Sequence, residues 1–213
     1  MKPLHYIVLA GVLLLGAGYV ALRLRDSGSP GPAGAGAANM AWRKVDRSGD
    51  GFKVELPSDV KQIQIPAYNE NGGAEPVNMI FANPDAGTTF SVAWADNPPV
   101  ARADGPAPDR SPDRILEMAQ EGALARTQTS LASAAANTAQ GFPGRDFGAS
   151  NAGGGVMNSR VIYAGSRLYM MVAAFPSTGA RRDRDVTQFF NSFTILSPAG
   201  SPQAGSAQPA SNN

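Results

Sequence analysis

Few side chains in this sequence could do chemistry, and they are scattered. The only histidine is His5 and there is no cysteine. Cysteine absence excludes disulfides, thiolate nucleophiles, zinc–thiolate and iron–sulfur sites, and acylation at Cys. It fits either side of a membrane. With His5 close to the N-terminus, the folded part has no imidazole to serve as general base, proton shuttle or metal ligand. No Gly-x-Ser-x-Gly elbow supplies an activated serine. Asp146-Phe147-Gly148 spells a kinase tripeptide, but no glycine-rich loop or His-Arg-Asp accompanies it, so it reads as coincidence. The Asp46–Gly51 loop looks acidic yet lacks the ligand spacing and closing Glu of a calcium loop, and reads as a turn. The glycines of Gly34-Ala35-Gly36 follow no strand and precede no Lys-Ser/Thr, so a phosphate loop is rejected. Arg181, Arg182 and Arg184 alternate with Asp183 and Asp185, as a self-compensating helix start does. No catalytic, cofactor-binding or metal-ligating residue is assigned, and no cofactor is expected. Carboxylates gathered only by the fold stay open as an alternative.

The elements that would position any site are better defined. Val156 to Phe175 holds two apolar-rich arms around Gly165-Ser166, and Gly first in a two-residue loop suits a type II′ turn. Val161 and Tyr163 on one arm, and Leu168, Met170, Val172 and Ala174 on the other, share a parity. This hairpin is the best-specified element and belongs in the middle of a sheet. Trp42–Val45 begins the domain. Phe52–Leu56 alternates as a half-buried strand, and Val77–Ala82 with Thr88–Ala95 makes another pair. Ser111, Pro112 and Asp113 form a helix start, and that helix runs to about Arg126 with Ile115, Leu116, Ala119, Ala123 and Leu124 on its apolar side. Leu131–Thr138 is an alanine-rich strand, Phe142-Pro143-Gly144 a turn, and Arg145–Ser150 a short strand. Val186, Phe189, Phe190 and Phe193 lie at i, i+3, i+4 and i+7, an aromatic stripe expected in the core. Thr194–Leu196 adds a terminal strand.

Around this domain the composition changes. Tyr6–Leu22 carries no charge over 17 residues and is followed by Arg23 and Arg25. As a helix it spans about 26 Å, at the short end for a bilayer. Small residues do not occupy both −3 and −1 behind it, which favours an uncleaved anchor (1–25) over a cleaved signal peptide. The very short preceding tail is most simply left in the cytoplasm, which puts the domain outside it, in the periplasm. Residues 26–40 read as a flexible linker and 198–213 as a disordered tail, both rich in Gly, Ala, Ser and Pro. Asp96–Pro112, with five prolines, reads as an irregular surface connection. Between Ala41 and Ser197 there are 15 basic and 16 acidic residues. So balanced a domain offers no basic face for nucleic acid.

The order of a Trp-led strand, Gly-Phe-Lys-Val-Glu-Leu-Pro, a helix with Arg-Ile-Leu-Glu-Met-Ala, Gly-Phe-Pro-Gly-Arg, the hairpin with Ser-Arg-Leu-Tyr, and a closing Phe-Phe-Asn-Ser-Phe resembles bacterial envelope domains of the PsbP/DcrB-like type. The likeness covers about Ala41 to Leu196. It implies an α+β domain at 41–197, a PsbP-like α/β/α sandwich with an antiparallel sheet of about six strands and two main helices; the uncharged Tyr6–Leu22 run places one transmembrane helix before it. It also implies a binding or accessory role in place of catalysis, with no active site to carry over. The expected function is a membrane-tethered extracytoplasmic module with an envelope protein partner. The alternative is a small-ligand sensor or hydrolase built on clustered carboxylates, which would raise the pKa values of those groups.

Overall fold

The computed structural model describes residues 40–65, 76–96 and 111–196. The anchor, nearly all of the linker, the proline-rich connection and the tail lie outside the described residues. Among the described residues there are ten strands and two α-helices: β1 (Trp42–Arg47), β2 (Phe52–Pro57), β3 (Lys61–Ile65), β4 (Val77–Ala82), β5 (Thr89–Asp96), α1 (Pro112–Thr127), β6 (Ser130–Ala139), β7 (Phe142–Ser150), β8 (Val156–Ala164), β9 (Arg167–Phe175), α2 (Asp183–Ser192) and β10 (Thr194–Ile195). They form an antiparallel seven-stranded sheet, β3-β4-β5-β9-β8-β7-β6, and a small sheet, β1-β2-β10. The expectation of one sheet with about six strands is therefore corrected. The N-terminal strands make a sheet of their own, and β3 (Lys-Gln-Ile-Gln-Ile), whose alternation is only two isoleucines long, joins the large sheet at its edge.

The central hairpin forms as its pattern requires. Ala164 pairs with Arg167 across the turn, Gly165 has φ 70 and Ser166 stays at negative φ, as type II′ geometry demands. β9 is the middle strand of seven and is buried on both faces. Leu168, Met170, Val172 and Ala174 face α1 together with Val161 and Phe147. Tyr169, Met171, Ala173 and Phe175 face the opposite way, into a larger core with Phe52, Val54 and Leu56 of β2 and Val186 and Phe189 of α2. Each large apolar side chain fully buried there contributes about 1.5–3 kcal/mol.

Helix α1 starts where expected. Ser111 Oγ accepts a hydrogen bond from the Arg114 amide at 3.4 Å, Pro112 opens the first turn, and Gln128 closes the helix in the left-handed conformation at φ 52. Buried Ala119, Ala123 and Gly122 let the helix axis approach the sheet closely. Helix α2 sends Val186 and Phe189 inward, and Phe193, just past its end, is buried too. Its charges cancel locally: Arg181 pairs with Asp183 at 2.6 Å, and Arg182 Nη2 reaches Asp85 at 3.0 Å.

One region is misread from sequence. Phe142-Pro143-Gly144 is the start of strand β7, and the turn lies earlier, at Gln140-Gly141. Pro143 is tolerated because it stands at the strand's beginning, before the ladder to β8 opens at Gly144–Ile162.

The two sheets are also joined by a polar corner. Arg167 grips Asp96 with Nε at 2.5 Å and Nη2 at 2.8 Å, and its Nη1 donates to the Asp50 carbonyl. Tyr169 donates to the same region at 3.3 Å. Arg167 beside it holds the Asp96 carboxyl below its usual range, while burial raises the Tyr169 phenol above the ordinary tyrosine value. Folding therefore favours neutral Tyr169. That stability is complete below the unfolded tyrosine pKa of about 10 and is lost as pH rises through the higher folded value. In an alkaline phenolate absorbance titration one tyrosine should ionise late, and Tyr169→Phe should remove that late step. If all tyrosines titrate together in the variant and the parent, the corner is not closed.

Candidate functional site

Among the described residues a cleft lies at the end of α2, where the small sheet meets the β6–β7 hairpin. It is about 420 Å³ and is lined by Ala139, Gln140, Arg160, Ile162, Phe190, Asn191, Phe193 and Thr194. That size is within the range of small-ligand sites.

Its walls follow from local sequence. Ala139 and Phe142 close a two-residue hairpin in which Gln140 (φ 54) and Gly141 (φ 85) are both left-handed, the pattern of a type I′ turn. A glutamine costs something in that conformation, and its side chain gives a reason for it. Gln140 Nε2 donates to the Phe193 carbonyl at 3.1 Å, and its Oε1 accepts from the Ile195 amide at 2.9 Å. The turn of the large sheet is thus stapled to β10 of the small one. Gln140→Gly would relax the backbone yet lose both bonds, whereas Gln140→Ala would lose both and keep the strain. We expect Ala to be the worse of the two, by about 0.5–1 kcal/mol in denaturant unfolding. Equal stabilities would show that the left-handed turn carries no cost.

Arg160, one of the lining residues, belongs to an ion pair. Arg160 on β8 binds Asp146 on β7 through Nε–Oδ1 and Nη2–Oδ2, both 2.8 Å, a bidentate arrangement set by their positions opposite each other in the ladder. Asn137 Nδ2 adds a third bond to Asp146 at 2.5 Å. The Arg160 guanidinium lies 5.0 Å from the centroid of Phe190, close enough for cation–π attraction. Phe190 is the half-buried member of the aromatic stripe: it packs against the edge of the core and also lines the cleft.

The lining offers one guanidinium, two amides, one hydroxyl and apolar surface. The lining residues include no carboxylate, lysine, serine or histidine. Its single charge is already neutralised by Asp146. Elsewhere, the carboxyls whose acidity shifts move down: Asp96, and Asp46, which hydrogen bonds from Ser48 and Lys53 hold at about 2. Among the described residues no three His, Cys, Asp or Glu side chains gather as for a metal ion. Asp146 of the Asp-Phe-Gly tripeptide is spent on Arg160 and Asn137, and the Asp46–Gly51 segment is a short turn at Ser48–Asp50. Nothing in the sequence singled out Gln140, Arg160 or Phe190 as cleft residues, because they converge from three elements far apart in the chain.

Neither the family models nor the curated proteins compared contain a match to this chain. Solved structures do. The solution structure of cyanobacterial PsbP (CyanoP) from Synechocystis sp. PCC 6803 superposes with a TM-score of 0.50 at 11% identity, covering 79% of this chain and all of that one. A protein of unknown function from Pseudomonas aeruginosa, PA94, described as a putative regulator, gives 0.34 at 12% identity, covering 70% and 91%. The first defines the class: the fold is PsbP-like, an α+β arrangement of antiparallel sheets with two helices. At such low identity it speaks for the fold alone.

Proposed function

We propose that this chain is a membrane-tethered, extracytoplasmic binding or assembly-accessory module of the PsbP/DcrB-like kind, without catalytic activity. The observation that carries this reading is the cleft between the α2 end and the β6–β7 turn: roomy, rimmed by Phe190, and lined without a carboxylate, its one hydroxyl being that of Thr194. A hydrolase built on clustered carboxylates needs the opposite, an acid with raised pKa in a pocket. The tether rests on the uncharged Tyr6–Leu22 run. The near-balanced charge of 41–197 favours a protein partner in the envelope over nucleic acid.

Two measurements test it. A phosphatase reporter fused after Gly200 should be active only when exported; activity of a cytoplasm-only reporter there would place the domain on the wrong side. A photocrosslinking residue at Asn191, at the cleft mouth, should give one discrete adduct in intact cells. That adduct should be lost when Phe190→Ala removes the rim. No adduct, or one indifferent to Phe190, would retire the cleft as the binding surface.

A further inference from the structure

The sheets end in four edges among the described residues, and three are guarded. β1 carries Arg43, Lys44, Asp46 and Arg47. β10 is only two residues long. β3 has five residues, begins with Lys61, and engages Gln62 with Arg47 and Gln64 with Asn78. Short length and charge are the usual means by which an edge is kept from pairing with another chain.

The fourth edge has neither. β6 runs ten residues, Ser130–Ala139, without a charge or proline. Its strand neighbour in the sheet is β7 alone. Residues 130–136 are all exposed, on both faces of the strand, so neither α1 nor α2 blocks approach from the side. Leu131, 45% exposed, is the one large apolar side chain left in solvent among the described residues, and it lies on this strand. After an irregularity between Leu131 and Ser133, the ladder is regular from Ser133 to Ala139, so that stretch presents an even row of outward backbone groups.

We infer that β6 pairs antiparallel with β6 of a second copy of this chain, joining two seven-stranded sheets about a two-fold axis. An antiparallel strand pair is self-complementary about such an axis, so a second copy satisfies this edge with no further sequence. Charge decides between occupants: an uncharged strand brings no like charges together when it meets itself, and it offers nothing by which a charged foreign strand would be selected. The side chains in the regular stretch are Ser, Ala, Asn and Thr, small enough for neighbouring protomers to approach to strand spacing. A ladder of this length covers well under the roughly 800 Å² per partner of a standard interface. The dimer is therefore of the weak, transient class. Self-pairing needs neither the cleft nor a foreign partner, so its failure and that of the proposed function are separable.

The chain's lack of cysteine makes the test direct. In the full chain in detergent micelles, single cysteines are placed in turn from Ser133 to Thr138, with Lys61→Cys on the opposite edge as control, and mildly oxidised. Disulfide dimer should peak at one β6 position, the residue facing its own copy across the axis. It should fall at the neighbours, whose copies stand about 7 Å or more apart. Dimer yield that is flat across β6, or no higher there than at Lys61→Cys, overturns the proposal. Next, the two residues that lie two positions either side of the peak, and so face each other across the two copies, are changed together to Lys in one peak-cysteine chain and together to Glu in another. Each alone should lower crosslinking at least tenfold with an unchanged circular dichroism spectrum, and mixing the two should restore it. If mixing does not restore it while both variants are folded, β6 does not pair with itself.

Discussion

Replacing Phe52 by alanine should destabilise the domain by about 3–5 kcal/mol, the largest single loss we expect. Phe52 has no exposed surface and opens β2, whose edges carry β1 and β10. Its ring meets Trp94 at 5.1 Å and Tyr169 at 5.7 Å, both edge-on, and stacks against Phe193 at 5.4 Å. Those partners belong to β5, β9 and the end of α2, so one side chain is the point where the small sheet, the large sheet and the last helix meet. Truncation would remove the transfer energy of the ring and leave a cavity that strands on two sides cannot fill. Against a total of about 5–15 kcal/mol for a domain, such a loss takes a large share. Denaturant unfolding followed by tryptophan fluorescence checks it, since Trp94 touches the deleted ring. Exposed Lys61→Ala should stay within about 0.5 kcal/mol as control. A cost for Phe52→Ala below about 1.5 kcal/mol would mean the small sheet is not packed through this core.

That junction also marks how far the sequence can be read. Phe52–Leu56 and the aromatic stripe of α2 announce themselves by period because each buries one face; Phe90–Trp94 does so although β5 is buried on both, because its large residues share one parity and Ser91 and Ala93 the other. The hairpin at 156–175 does so too, and its turn follows from glycine's freedom at Gly165. Nothing local says that β2 leaves the main sheet to form a second one with β1 and β10; strand partnership is set by packing across long sequence distances. β3 gives a faint signal because only Ile63 and Ile65 alternate with glutamine before the strand ends. The β6–β7 turn was misplaced because Pro143 and Gly144 are strong turn residues, whereas Gln140 in a left-handed conformation gives no signal. Its justification is the pair of bonds to Phe193 and Ile195, which exist only after the chain has folded. The cleft fails to show in the sequence for the same reason. Arg160, Phe190 and Gln140 are brought together by the ladder β6-β7-β8 and the docking of α2, and no spacing encodes them.

Gly144 shows the reverse case, a residue whose sequence signal points to a turn but whose role is contact. It sits inside β7, opposite Asn137 on β6 and Ile162 on β8. Glycine within a strand is ordinarily a liability, and alanine would be expected to gain stability by restricting the unfolded chain. Here the sign should invert. A Cβ at 144 would fall on the Asn137 Oδ1 and stand 2.9 Å from the Val161 carbonyl oxygen. The carbonyl belongs to the adjoining strand and cannot swing away. Asn137 is held by its bond to Asp146, itself clamped by Arg160. Gly144→Ala should therefore cost about 1–3 kcal/mol by overpacking, read as a lower denaturant midpoint with unchanged slope. Adding Asn137→Ala should return part of that loss, because the first of the two obstructions is gone; we expect the pair to depart from additivity by about 0.5–1.5 kcal/mol. The carbonyl contact would remain, so recovery should be incomplete. A stabilising Gly144→Ala, or strict additivity with Asn137→Ala, would show that β7 has room at this position and that the close approach of β6, β7 and β8 under the cleft is not what keeps glycine there.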